Sequence, residues 1–159
     1  MAEALLSRPY LLARHARTLA SLHERLHAIE ALPSLPRVDL DGDRLLHRDL
    51  HPLNVMMSAG GPVVIDWANA ARGDPAYDVA DTWVVLASAE IPGSRVHRAV
   101  GAVFRRTFLG RFLGALGALD ADRARQAIPV VVKYRLQDRN MSEPEKLEMT
   151  RLADWATAR

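Results

Sequence analysis

Asp49 and Asn54 stand five residues apart in Leu45-Leu46-His47-Arg48-Asp49-Leu50-His51-Pro52-Leu53-Asn54-Val55-Met56-Met57, and a further aspartate, Asp66, closes the apolar run Val63-Val64-Ile65. Two carboxylates and a side-chain amide are the set that phosphoryl transfer asks of a protein. One carboxylate accepts or orients the attacking hydroxyl. The amide and the second carboxylate offer oxygen to Mg²⁺, a hard cation that prefers oxygen ligands. An aspartate of ordinary pKa suffices as base, because the transition state is loose and positioning counts for more than basicity. Taken singly, each of the three reads better as a turn or cap residue. His47, Asp49 and His51 also admit a metal-cluster reading, since alternate residues of a strand share a face. That reading leaves Pro52 and Asn54 without a role, and no histidine-rich block follows to complete it. His51 otherwise reads as a loop-packing residue, and Asp74 as a turn residue ahead of Pro75.

These residues need short strands to hold them and helices to back them. Leu45-Leu46, Val55-Met57 and Val63-Ile65 alternate with polar clusters and the Gly60-Gly61-Pro62 turn, a pattern of short strands and hairpins. Helical spacing of Leu12, Leu19, Leu22, Leu26 and Ile29 predicts one long helix from Arg8 to Leu32, stopped by Pro33. Further helices are predicted from Asp78 to Ala89 and from Pro92 to Gly117. Another is predicted from Asp120, with a bend or restart at Pro129. The last opens on Ser142-Glu143-Pro144-Glu145, a capping-box pattern, and runs to Trp155. The expected fold is α+β, mostly helical, with a small β-hairpin insert carrying the candidate catalytic loop. Trp67, Trp83 and Trp155 are expected in the core, and Arg95, Arg98, Arg105, Arg106 and Arg111 on a solvated helix face.

His47-Arg48-Asp49 followed by Asn54, with Ile65-Asp66-Trp67 downstream, resembles the catalytic loop and metal-binding aspartate of protein kinases. The variant HxDLHPxN, then VIDW and the Gly73–Ala80 stretch GDPAYDVA, resembles the aminoglycoside phosphotransferase family, which includes choline-kinase-like and other small-molecule kinases. Leu19-Ala20-Ser21-Leu22-His23 is similar to that family's helix preceding the loop. The resemblance covers about residues 15 to 90; the C-terminal helices match only in kind. It implies Asp49 as catalytic base, with Asn54 and Asp66 as Mg²⁺ ligands. It implies Asp78 as a buried acceptor for the loop backbone, and His47 as a prop behind the metal aspartate. ATP would be the co-substrate and a small-molecule hydroxyl the acceptor. Arg48 stands where the family often has glycine, and the resemblance assigns it no role.

The same resemblance leads one to expect a lysine-bearing, glycine-rich nucleotide lobe ahead of the loop. None can be placed: Lys133 and Lys146 are the only lysines. Residues 1–159 therefore read as one domain, a kinase-like C-terminal lobe whose nucleotide-binding lobe is absent, and no nucleotide-binding residues are assigned. Losing that clamp would cost several kcal/mol of barrier through lost orientation. Two expectations follow: a phosphotransferase cut short, or a non-catalytic lobe that is a binding module or an inactive remnant, with self-association or a separate N-terminal lobe as partner. No acid lies between Glu90 and Asp120, a stretch rich in arginine, which disfavours a polycationic acceptor.

At 159 residues, with 49% apolar and 25% charged residues, the chain can bury one core. It has no cysteine, which excludes disulfides and thiolate metal sites. The N-terminus lacks a secretory h-region and no apolar run approaches a membrane span of about 18 residues, so a cytoplasmic protein without a membrane partner is expected. Net charge is only +2, and no basic stripe with interleaved aromatics points to nucleic acid.

Overall fold

The computed structural model describes residues 9–90 and 93–158. A 3₁₀ turn, Pro9–Leu11, leads into α1, Leu12–His27, which turns Ala16, Leu19, Ala20, Leu22 and Leu26 inward. The spacing predicts this helix as far as Leu32, but it ends five residues sooner. Beyond His27 the backbone finds partners in the next segment: Ala31 N–H donates to Asp43 O at 2.8 Å, and Leu45 N–H to Ile29 O at 3.0 Å. Ile29 and Leu32 are consequently left 51% and 68% exposed. Arg8, the predicted start, lies outside the described residues.

Four short strands form two separate two-stranded antiparallel sheets. β1, Arg44–Leu46, pairs with β4, Ala71–Gly73, while β2, Val55–Ser58, pairs with β3, Gly61–Val64. Strand β4 has no counterpart in the sequence reading. It is three residues long, with a glycine and an arginine and no apolar alternation, so only its partner β1 makes it a strand. Gly73 is required there by crowding. A side chain at 73 would strike Val38, and one at Gly42 would strike the Gly73 backbone.

Helix α2, Pro75–Ser88, starts three residues earlier than Asp78. Asp74 caps it by accepting from Ala76 N–H at 2.8 Å, and Pro75 fits the first turn. Helix α3, Arg95–Leu116, is capped by Ser94; the predicted start at Pro92 lies outside the described residues. Helix α4, Ala118–Arg135, runs through Pro129 without restarting. Pro129 forfeits one backbone hydrogen bond, yet Ala124, Ala127, Ile128, Val131 and Val132 are buried on both sides of it and hold the helix against α2. Helix α5, Glu143–Thr157, opens with the full Ser142/Glu145 capping box.

The fold is thus mostly helical α+β, with helices around a core that includes Leu19, Leu46, Leu50, Val55, Tyr77, Phe112 and Ile128. Two tryptophans are not in it. Trp67 is 41% and Trp155 47% exposed. Trp67 leans on His47 (ring centroids 4.7 Å apart), and Arg125 covers one face of Trp155. The arginines of α3 are exposed except Arg105, which is partly buried and donates to Ala89 O. Among the described residues no helix is long and apolar enough to cross a membrane.

Candidate active site

The loop from β1 to β2 is hung on α2. Asp78, fully buried in the first turn of that helix, accepts from His47 N–H at 3.1 Å and from Arg48 N–H at 2.6 Å. His27 of α1 donates from Nε2 to the same carboxylate at 3.1 Å. Burial pushes the Asp78 pKa up, but the His27 hydrogen bond, nearby His23 and the loop amides outweigh it and hold the group below the usual carboxylate range. One turn on, Thr82 donates to Leu50 O at 2.7 Å. Two side chains at helical spacing thus fix the loop on either side of Asp49.

Asp49 and Asn54 come together in that loop. Asn54 Nδ2 donates to the Asp49 carbonyl at 2.8 Å and to Asp49 Oδ2 at 2.9 Å. His51 caps the short 3₁₀ turn Pro52–Asn54 through Leu53 N–H, and its Nε2 lies 3.4 Å from Asp49 Oδ2. Asp66 arrives from the neighbouring strand: Val55 pairs with Val64, and Ile65 N–H donates to Asn54 O at 3.0 Å, which sets Asp66 beside Asn54 at the end of the hairpin. His47, buried, donates from Nε2 to Ile65 O at 3.0 Å and so braces the residue before Asp66. That bond and the Trp67 contact spend His47 on packing, so the alternating His47-Asp49-His51 cluster does not form.

Asp66 and Arg48 are the only non-glycine positive-φ residues described, at 64° and 62°. Each conformation costs on the order of 1 kcal/mol for an L-residue. It is sustained at Arg48 by the Asp78 hydrogen bond and at Asp66 by the hairpin and His47. The donor set suits Mg²⁺. Asp66 is exposed and its carboxylate has no partner among the described residues. Asn54 spends its amide N–H groups on Asp49, which leaves its Oδ1 unbonded. Oxygen donors from one carboxylate and one amide, completed by phosphate oxygens, are what Mg²⁺ accepts. No group of three or more His, Cys, Asp or Glu able to hold a metal by itself occurs among the described residues.

Two residues absent from the sequence reading complete the site. Arg135, the last residue of α4, donates to Asp81 through Nε at 2.6 Å and Nη2 at 2.7 Å, and to Asp49 Oδ1 through Nη2 at 2.9 Å. Asp81 is 2% exposed. Burial disfavours the Arg135 charge, but the Asp81 and Asp49 carboxylates more than offset this and raise its pKa. Burial likewise pushes Asp49 up, but hydrogen bonds from His51 and Arg135, with their charges, hold it at about 2. Asp49 is therefore an anion with both oxygens engaged. An acid turned inward on an apolar helix is the one local signal for Asp81, since such a group needs a buried cation; nothing local marks Arg135. Asp74 is a helix cap that also takes a bidentate contact from Arg123, at 2.7 and 2.9 Å.

Comparison with known proteins adds one finding. No curated protein and no solved structure matches the chain. The family model APH, the phosphotransferase enzyme family, matches residues 2–128, a span that takes in the loop, both sheets, α1 to α3 and most of the interface on which Asp78 and Asp81 sit. Matched over most of its length, this chain belongs to the phosphotransferase enzyme family.

Proposed function

We propose that this protein transfers the γ-phosphate of ATP to a hydroxyl of a small molecule, with Mg²⁺ held by Asn54 and Asp66 and with Asp49 as the catalytic carboxylate. The observation that carries the reading is the orientation of Asn54. Its Nδ2 is fastened to Asp49, so Oδ1 is left for a cation beside the unpaired carboxylate of Asp66. Bound Mg²⁺ would supply charge neutralisation to the β- and γ-phosphate oxygens. Asp49 holds the acceptor hydroxyl in line. At a pKa of about 2 it is a weak base, so it orients the hydroxyl and takes the proton only late, which a loose transition state permits. His47 and the hairpin keep Asp66 aimed, and Arg135 keeps Asp49 from rotating. The setting proposed is the cytoplasm, and the ligands proposed are small molecules rather than nucleic acid or membrane.

A rival reading, a non-catalytic lobe that docks a partner, draws on the apolar side chains around the hairpin: Leu53, Met56, Met57 and Val63 are 71%, 56%, 45% and 49% exposed. Calorimetric titration with Mg·ATP separates the two. Micromolar binding that Asp66→Ala abolishes, with the fold intact by circular dichroism, is the expected result. A folded chain that takes up no Mg·ATP would rule out nucleotide chemistry by this chain and leave the docking lobe standing.

A further inference from the structure

We infer that Arg48, with the free Nη1 of Arg135, forms an oxyanion subsite in the cleft beside Asp49, where it takes the carboxylate or phosphate of a hydroxylated acceptor. The inference rests on the phosphotransferase reading for the word acceptor, though not for the anion. Three independent features of Arg48 carry it.

Its backbone is held at φ 62°, a conformation that suits glycine and strains any residue with a Cβ. Hydrogen bonding of its N–H to Asp78 enforces that conformation, which sends the side chain away from the loop towards α4. There the guanidinium lies over the Tyr134 ring, 4.1 Å from its centroid, and 5.8 Å from that of Tyr77. Stacking occupies a face of the planar guanidinium and leaves its edges to hydrogen-bond carboxylate or phosphate.

Its charge is also unanswered. No carboxylate of the described residues pairs with Arg48, and its Nε is buried without a hydrogen-bond partner. A cation that is partly withdrawn from water, strained in its backbone and without a carboxylate partner is arranged for a ligand rather than for stability.

The third feature is the place. Arg48 lines a cleft of about 260 Å³ together with Asn69, Tyr134, Arg135, Gln137 and Asp138. Asp81 also borders it, but both its oxygens are taken by Arg135. Asp138 is exposed and accepts from Asn140 N–H. Arg135 points Nε and Nη2 at carboxylates, whereas Nη1 makes no hydrogen bond. Two guanidinium edges and two side-chain amides thus face a space sized for a ligand of a few carbons. Asp49 adjoins Arg48 in sequence and touches Arg135, so an acceptor anchored by its anion would present a hydroxyl to the Asp49 carboxylate.

The test is calorimetric titration of the full chain, free of nucleotide, with glycerate, with inorganic phosphate and with glycerol as the uncharged control. Glycerate and phosphate are expected to bind saturably and glycerol not at all. Arg48→Gly should weaken glycerate binding at least about tenfold, by loss of the charge-assisted pair. Its melting temperature should be equal or higher, because glycine adopts this φ without strain. A chain that does not bind glycerate overturns the inference, as does an Arg48→Gly variant that binds within about twofold of the parent, inside the spread of a weak surface contact. A second titration adds saturating Mg²⁺ and a non-hydrolysable ATP analogue. An unchanged glycerate affinity supports the acceptor assignment, while competition would give the subsite to a nucleotide phosphate and overturn it. Glycerate binding in a chain that takes up no analogue would sink the phosphotransferase reading and leave the oxyanion subsite intact.

Discussion

Asp49 divides its two oxygens between a guanidinium from the end of α4 and the amide of Asn54. The guanidinium is in turn committed to Asp81, so the Asp49 carboxylate depends on a buried ion pair between α2 and α4. Arg135→Gln would strand Asp81 and is expected to cost about 3–5 kcal/mol in urea denaturation, as for other buried pairs broken on one side. Replacing both partners, Asp81→Asn with Arg135→Gln, should recover most of that loss, because no buried charge is then left alone. Acid gives a second readout. Asp49 at about 2, and Asp78 below the usual carboxylate range, both have folded-state pKa values lower than in the unfolded chain. Asp49 therefore contributes stability that is complete above pH of about 4 and is lost as pH falls towards about 2, and Asp78 contributes stability that is likewise lost on acidification. The urea midpoint should drop across that window, and Asp78→Asn should flatten the drop. Asp49, Asn54, Asp66 and His47 are legible in the sequence because one loop and one hairpin carry them. Asp81 and Arg135 are 54 positions apart and meet only through the packing of α2 on α4, so no local pattern reveals them.

Helix α2 sets the loop, and the strand before it sets α2. Gly73 ends β4 and Asp74 caps the helix, while Gly42 packs its backbone directly on Gly73. Gly42→Ala would drive a methyl group into that backbone. The expected penalty is about 2 kcal/mol, as for other overpacked sites, read as a lowered melting temperature with far-UV circular dichroism otherwise unchanged. Element ends follow a similar division in what the sequence discloses. The start of α5 is legible, since Ser142 and Glu145 cap through side chains three residues apart. The end of α1 is not, because residues 28–32 keep helical spacing while Ile29 O and Ala31 N–H bond to the β1 segment. Strand β4 is hidden for the same reason, since its hydrogen bonds go to β1 and, at Arg72, to Pro36 and Val38, and its own composition is not that of a strand. The helix does not restart at Pro129, because apolar burial on both sides of the proline outweighs one missing hydrogen bond.

At the scale of the whole molecule, the loop, strand β1 and the helical core meet on α2. Loss of helix packing and loss of the site should therefore be one event. With Trp83 and Trp155 replaced by phenylalanine, Trp67 becomes the sole indole and reports on the His47 contact. Its fluorescence transition on heating is expected to coincide with the helical signal at 222 nm, the mark of two-state unfolding; an earlier transition would mean that the hairpin melts by itself. The spacing of Asp74, Asp78, Asp81 and Thr82 along α2 has a consequence for how chains of this kind can vary in length. One residue inserted between Asp78 and Asp81 would turn everything after it by about 100° around the helix axis, so the loop hook would part from the Arg135 clamp even if every side chain survived. The Gly60-Gly61 tip of the hairpin makes no such packing contact: an added Cβ would meet only the Ser58 hydroxyl from 60 and nothing from 61, although the φ of 113° at Gly61 would strain any other residue there. Gain and loss of residues should be confined to that tip, and α2 should behave as a ruler whose length is not negotiable.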